Sequence, residues 1–335
     1  MSLLIVGSDV ETGVGGSLMR AAQKEGTPTF LARSAEAYAT WKIARRVWWH
    51  VLGRRPYRLR EFSARVVRQA RDQGITTVIA TGIAPVNSGA LKYLRALGIK
   101  TANFLTDDPF NPAHRAAWFL DALPLYDVIF TPRRANMPEL LAAGCGSVHY
   151  LPFAYDEDIF YVEHDASCGD AESDVYFAGG ADPDRVPYMS ALIDAGLDLR
   201  LHGAYWSRYK ETLAYDRGMA SPHAIRRGLS RTKVGLCLVR RANRDGNCMR
   251  TFEVPASGAC LLAEDTAEHR EIFGAEGHAA VYFNSKEEML EKARLLVGDS
   301  DRRRRIAAAG HSLVTSAGHT YRHRLDEMLR VMKTA

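Results

Sequence analysis

At 335 residues the chain is long for one domain and comfortable for two, and its 47% hydrophobic and 25% charged residues are those of an ordinary globular protein. Its net charge of +5 is local: the window Lys42–Asp72 alone is +8, so the remainder is slightly acidic. That excludes a generally basic nucleic-acid-binding chain and points to one patch for an anionic partner. The five cysteines (Cys145, Cys168, Cys237, Cys248, Cys260) are scattered, odd in number and form no C-x-x-C pair, which argues for a reducing compartment and against a structural zinc site. No signal-peptide pattern precedes the first apolar run and no run is long enough to span a membrane, so a cytoplasmic location is expected.

Taken in order, apolar runs of strand length alternate with amphipathic stretches of helix length. The expected strands of the first half are Leu3–Val6, Thr27–Leu31, Thr77–Ala80, Thr101–Leu105, Val128–Thr131 and Val148–Leu151. Between them lie helices over Ser17–Glu25, Arg60–Gln73, Ser88–Leu97 and Met137–Ala143. Between the first strand and helix lies "GSDVETGVGGSLM", Gly7 to Met19. It fails as a Walker A loop, because alignment on Ser17 puts Gly16 where the lysine belongs, and it fails as G-x-G-x-x-G because Leu18 replaces the third glycine. What remains is a turn whose N–H groups face an anion at a helix N-terminus, or a simple connection.

In the basic window, Trp41, Trp48 and Trp49 are interleaved with arginines. That pattern suits a peripheral membrane contact at residues 42–71, or equally a helix with core aromatics and a solvated basic face; no RNA-binding signature accompanies it. "FLTDDPFNPAH" follows the fourth strand, and of its adjacent acids Asp107 and Asp108 only one can point inward along an extended segment. An inward carboxylate would serve as a general base or sugar ligand; capping the next helix is the other reading.

Residues Tyr155–Ser173 are acidic and aperiodic and read as a linker. A second α/β set follows, with strands Asp174–Ala178, Asp198–His202, Val234–Val239, Ala259–Ala263 and Ala280–Phe283. Ser221-Pro222 starts one helix, Ser285 with Glu288 forms a capping box, and Ser300-Asp301 caps a terminal helical region past Arg302–Arg305. The expected division is residues 1–157, a linker at 158–173, a second domain at 174–315, and a C-terminal helix at 316–335 packing back toward the first. Two such domains would hold a ligand in the cleft between them.

The most informative stretch is "NRDGNCMRTFEVPASGACLLAEDTAEHREIF", Asn243 to Phe273. Asp245 and Glu253 stand in a D-x7-E arrangement, with Glu253 early in a helix that starts near Met249. A carboxylate there can accept both hydrogens of a ribose diol, while the helix N-terminus and Arg250 face a diphosphate.

This stretch resembles the C-terminal domain of GT-B glycosyltransferases, whose E-A-M-A-x-G-x-P-V-V-A pattern lies over "EVPASGACLLA" with Glu253, Ala256 and Gly258 kept. Within that superfamily the likeness is to CgeB-like proteins, carried by "DVYFAGGADPDR", "LRLHGAYW", "RTFEVPASGA" and "AGHTYRHRLDEML" in order, from about Asp174 to Leu329. "GVGGSLMRAAQKEG" and "DVIFTPRRANMPELLAAGCGSVHYLPFAYDEDIF" match the first half more loosely. The resemblance implies two Rossmann-like domains facing each other across a cleft. It also implies metal-independent sugar transfer from a UDP-, GDP- or TDP-linked donor, with no resident cofactor, to an unidentified hydroxyl acceptor. The implied donor-binding residues are Gly15, Gly16, Gly179, Gly180, Arg185, His202, Gly203, Asn243, Arg250, Thr251, Phe252 and Glu253; Asp107, Asp108 and Asp245 are the candidate catalytic acids. Asp245 departs from the family's glutamate, which keeps open a nucleotide-sugar-binding module without turnover. An NAD-dependent oxidoreductase or epimerase is disfavoured by the broken glycine fingerprint. Asp182-Pro-Asp184 is read as helix capping, not as a D-x-D metal site.

Overall fold

Five consecutive buried residues, Leu3–Gly7, form the first strand, β1, and buried apolar runs recur in the inner strands of both sheets, as expected of parallel strands covered on both faces. The computed structural model describes residues 1–11, 13–41, 48, 51, 53–163 and 173–334. After β1 come α1 (Val14–Lys24), β2 (Thr29–Arg33), α2 (Leu59–Asp72), β3 (Thr77–Thr81), α3 (Ser88–Ala96) and β4 (Lys100–Phe104). Then follow α4 (Ala117–Leu120), β5 (Val128–Thr131), α5 (Met137–Ala142) and β6 (Val148–Tyr150). These strands make one parallel sheet in the order β2-β1-β3-β4-β5-β6, with Leu3 of β1 in register with Thr29 and Thr77. The winding reverses at β1, so the loops after β1 and β3 flank a switch point.

The second set comprises β7 (Ser173–Ala178), α6 (Val186–Asp194), β8 (Leu199–His202), α7 (Pro222–Ser230), β9 (Thr232–Cys237) and α8 (Met249–Ala256). It continues with β10 (Cys260–Glu264), α9 (Ala267–Phe273), β11 (Val281–Phe283), α10 (Lys286–Gly298) and α11 (Ser300–Ser316). Its parallel sheet has the order β11-β10-β9-β7-β8, and its core runs from Val175 and Phe177 through Leu236 and Leu262 to Phe283. Here the winding reverses at β7, between β8 and β9. Helix starts follow side-chain chemistry: Ser221 Oγ accepts from Ala224 N at 3.2 Å, and Thr266 Oγ1 from His269 N at 3.0 Å.

A last helix, α12 (Tyr321–Thr334), packs on α1. By contact density the chain forms two units: one of Met1–Pro152, Ala242–Asp245 and Tyr321–Ala335, the other of Phe153–Arg241 and Gly246–Thr320. The α/β class with two parallel sheets is as expected. Several boundaries differ for local reasons. Helix α1 begins at Val14, not Ser17, so Gly15 and Gly16 lie inside its first turn. Poor helix propensity gives way there to close packing, since a Cβ on Gly15 would sit 3.1 Å from the Ser8 carbonyl. The cap of α11 is Asp299, whose Oδ1 accepts from Arg302 N at 2.9 Å, and not Ser300-Asp301. Ser285 caps α10, but Glu288 reaches back to Asn284 N at 2.7 Å, not to the Ser285 N–H of a capping box. Of the expected linker, Tyr155–Glu163 is described, with Tyr155 bridged to Thr320; residues 164–172, including Cys168, lie outside the described residues. So do Lys42, Arg45, Arg46 and Trp49 of the basic window.

One contact tests the packing of the second core. Gly228 in α7 lies against Tyr176 of β7, where an added Cβ would collide with the phenol ring. Gly228→Ala gains about 1 kcal/mol of helix propensity but overpacks a rigid ring at a cost of about 1–3 kcal/mol. A lowered urea midpoint is the expected result.

Candidate functional site

The loops at the carboxyl ends of β7, β8 and β9 converge at the switch point of the second sheet, which is where open α/β sheets bind ligands. Arg185 ties them together: Nη1 donates to the Gly180 carbonyl after β7 at 3.1 Å, and Nη2 to the Leu238 carbonyl after β9 at 3.1 Å. Gly179 and Gly203 are interlocked. Gly179 N donates to His202 O at 2.9 Å, the Trp206 indole donates to Gly179 O at 2.8 Å, and a Cβ on Gly203 (φ 145°) would collide with the Gly179 carbonyl. The two glycine motifs are therefore one structural feature, a loop pressed flat against its neighbour. His202 beside it is held below the ordinary histidine pKa, chiefly by burial.

Helix α8 enters this corner with its N-terminus. Arg250 Nε donates to Ala178 O at 3.0 Å, and its guanidinium forms an ion pair with Glu253. The two side chains are only 15% and 5% exposed. Glu264, at the end of β10, accepts from Val239 N at 2.7 Å and from Arg241 at 2.8 and 3.1 Å. Asp182 Oδ1 accepts from Asp184 N and Arg185 N, so the D-P-D acid turns the backbone into α6.

The start of α8 is pinned by a directed chain of hydrogen bonds. His269 is fully buried and burial pushes its pKa down to about 4, so the ring is neutral at pH 7 and carries one N–H. Nδ1 lies 2.7 Å from the Glu264 carbonyl, an acceptor, so the proton sits on Nδ1. Nε2 must then accept from Thr251 Oγ1 at 2.8 Å, and the Thr251 oxygen in turn accepts from Cys248 N at 2.9 Å. One otherwise unpaired N–H of the helix N-terminus is thereby satisfied. Phe252, also fully buried, stacks on His319 with ring centroids 5.1 Å apart.

In the first unit a second polar group surrounds the ends of β4 and β5. The Arg133 side chain is fully buried, donating to Leu105 O at 2.7 Å and Thr106 O at 2.5 Å, and is ion-paired with Asp245. Arg244, at φ 55°, holds Asp108 at 2.7 Å and Glu139 at 2.6 Å. Asn111 donates to Asn243 at 2.8 Å. Asp108 Oδ1 also accepts from Phe110 N at 3.1 Å, closing a turn. Of the adjacent acids, Asp108 is thus the buried, engaged one and Asp107 is half-exposed, near the Tyr38 phenol, which burial and that charge raise to about 12.

The structure brings Gly179, Gly180, Arg185, His202, Gly203, Arg250, Thr251, Phe252 and Glu253 together in the second unit, where Thr251 and Phe252 face inward as supports. It places Gly15, Gly16, Asp107, Asp108, Asn243 and Asp245 in the first. Arg133, Arg244, Glu264, His269 and the Cys237–Cys248 contact were not anticipated. Among the described residues no His/Cys/Asp/Glu cluster could hold a metal, and no helix is long and apolar enough to cross a membrane.

Residues 187–330 match the glycosyl transferase-like family. No curated protein matches the chain by sequence. Among solved structures, the chain is similar to Anabaena HepE in complex with UDP-glucose (TM-score 0.68, 12% identity, 98% of this chain and 99% of that one). It is also similar to sucrose-phosphate synthase from Thermosynechococcus elongatus (0.67, 12%, 100% and 99%). A third is α,α-trehalose 6-phosphate synthase from Burkholderia multivorans (0.68, 13%, 100% and 99%). At these identities the likeness is one of fold, and the fold is GT-B: two parallel-sheet α/β domains.

Two outcomes follow from the buried titratable groups. The folded pKa of His269, about 4, lies below the ordinary 6.5, so the unfolded chain takes up the proton first as pH falls. This contribution, about 3 kcal/mol, is complete above about pH 6.5 and is lost between there and about pH 4. Urea midpoints followed over that window fall more steeply for the parent protein than for His269→Gln. Asp245→Asn leaves the Arg133 guanidinium buried without its counter-charge, and chemical denaturation should show a loss of about 3 kcal/mol.

Proposed function

We propose that the chain is a glycosyltransferase of the CgeB-like kind, moving a sugar from a nucleotide-sugar donor to a hydroxyl acceptor. The observation that carries this reading is the placement of Arg250 and Glu253 on the first turns of α8, at the switch point of the second sheet. In this reading Glu253 accepts both hydroxyls of the donor ribose. Arg250 exchanges its ion pair with Glu253 for the diphosphate, with the Gly179-Gly180 turn allowing close backbone approach. The family match across residues 187–330 spans Arg250 and Glu253, and HepE is a relative in fold that binds UDP and UDP-glucose.

Cleavage of the donor leaves negative charge on the diphosphate, and stabilising that charge is the main catalytic task. Arg250 and the α8 N-terminus supply it without a metal in this proposal, consistent with an Asp182 already used as a cap. Asp107, half-exposed after β4, is the better candidate for a base or acceptor ligand than Asp108 or Asp245, each of which faces an arginine. That engagement also favours a second reading, a nucleotide-sugar-binding module without turnover. Donor hydrolysis or transfer, assayed beside binding, separates the two. A peripheral contact with the inner face of a membrane through residues 42–71 remains part of the proposal.

The test of the site is calorimetric. Glu253→Ala removes a charged acceptor of two hydroxyl hydrogen bonds, each about 1.5–3 kcal/mol. UDP and UDP-glucose should bind about 10- to 100-fold more weakly. Unchanged affinity in a folded variant would remove Glu253 from the nucleotide site.

A further inference from the structure

Cys237 closes β9 and Cys248 immediately precedes α8, eleven positions apart in sequence, and their sulfurs lie 3.5 Å from each other. Cys237 is buried and Cys248 is half-buried. The pair sits beside the proposed diphosphate-binding residues, with the positive charges of Arg185 and Arg250 acting on Cys248. We propose that Cys237 and Cys248 form an oxidisable dithiol, a modification site at which a peroxide converts two thiols to an intramolecular disulfide.

The chemistry of the two sulfurs differs in the way this needs. Cys248 is shifted toward the thiolate, first by the hydrogen bond from Cys237 and then by the Thr251 backbone N–H and the charges of Arg185 and Arg250, against burial. Cys237 is pushed the other way by the same partner and by burial, so it keeps its proton and donates it toward Cys248. The attacking sulfur belongs to the half-buried residue, and the buried thiol is in place to resolve the product. The remaining described cysteines are poor competitors: burial raises Cys145 to about 11 and Cys260 to about 12.

The reaction balances in two steps. The Cys248 thiolate attacks one oxygen of hydrogen peroxide; an S–O bond forms, the O–O bond breaks, and hydroxide leaves to become water. The Cys237 sulfur then attacks the Cys248 sulfenic sulfur; the S–S bond forms, the S–O bond breaks, and the departing hydroxide takes the Cys237 proton as water. The dithiol loses two electrons and the peroxide gains them. Bringing the sulfurs from 3.5 Å to the disulfide distance of about 2.05 Å is a small local motion at the junction of strand and helix. The product fastens the end of β9 to the first turn of α8.

The site is tested on the full chain, as the parent and as a Cys168→Ser variant, reduced and then exposed to stoichiometric hydrogen peroxide. The expected result is the loss of two titratable thiols per chain and of the mass of two hydrogens, with a Cys237–Cys248 linked peptide that dithiothreitol dissolves. In Cys237→Ser, Cys248 should stop at the sulfenic acid and be trapped by dimedone. Retention of all thiols, a linkage between other cysteines, or loss of two thiols in Cys248→Ser would each overturn the proposal. None of these readouts involves a nucleotide, so the result stands whether or not the glycosyltransferase reading does.

Discussion

The N-terminus of α8 has to be fixed before Arg250 and Glu253 can hold anything, and a neutral imidazole does that fixing. Were His269 charged, both ring nitrogens would be donors, Thr251 would lose its acceptor, and the orientation that lets its oxygen receive the Cys248 N–H would go with it. Burial is what keeps the ring neutral. Polarity at the surface of the site thus depends on apolar packing one layer below. The same logic governs the glycines: Gly179, Gly180 and Gly203 keep the loops thin so that Arg185 can span β7 and β9.

Two arginines are used in opposite ways. Arg133 is sunk entirely into the first unit, its donors turned onto backbone carbonyls and Asp245, and acts as a structural cross-brace. Arg250 keeps 15% of its side chain exposed and holds both a backbone carbonyl and the Glu253 carboxylate. Burial separates the brace from the group proposed to bind the ligand; residue type alone does not.

The strands were readable because fully buried parallel strands announce themselves as short apolar runs, and their ends shifted by only one or two residues. The place of Glu253 on α8 was readable because its neighbours, Phe252 before it and the small residues Ala256 and Gly258 after it, are dictated by one helix packing on one strand. His269 was not, since its meaning lies in Thr251, eighteen positions away. Nor were the partners of Asp245 and Arg244, which are Arg133 and Asp108 at separations of 112 and 136. Local pattern carries local geometry; a pair joined across a hundred residues leaves no spacing to read. The glycines of α1 show the converse, where propensity argued for a loop and close packing built a helix instead.

The first unit borrows Ala242–Asp245 and the helix Tyr321–Thr334 from late in the chain. During synthesis, residues 1–152 therefore emerge before Asp245, the acid paired with Arg133, before Arg244, the base paired with Asp108, and before the helix that packs on α1. The second unit is itself interrupted by Ala242–Asp245, so the residues that close the first unit are synthesised only after its whole sheet. The last contacts of the N-terminal half must therefore wait until the C-terminal half has been made.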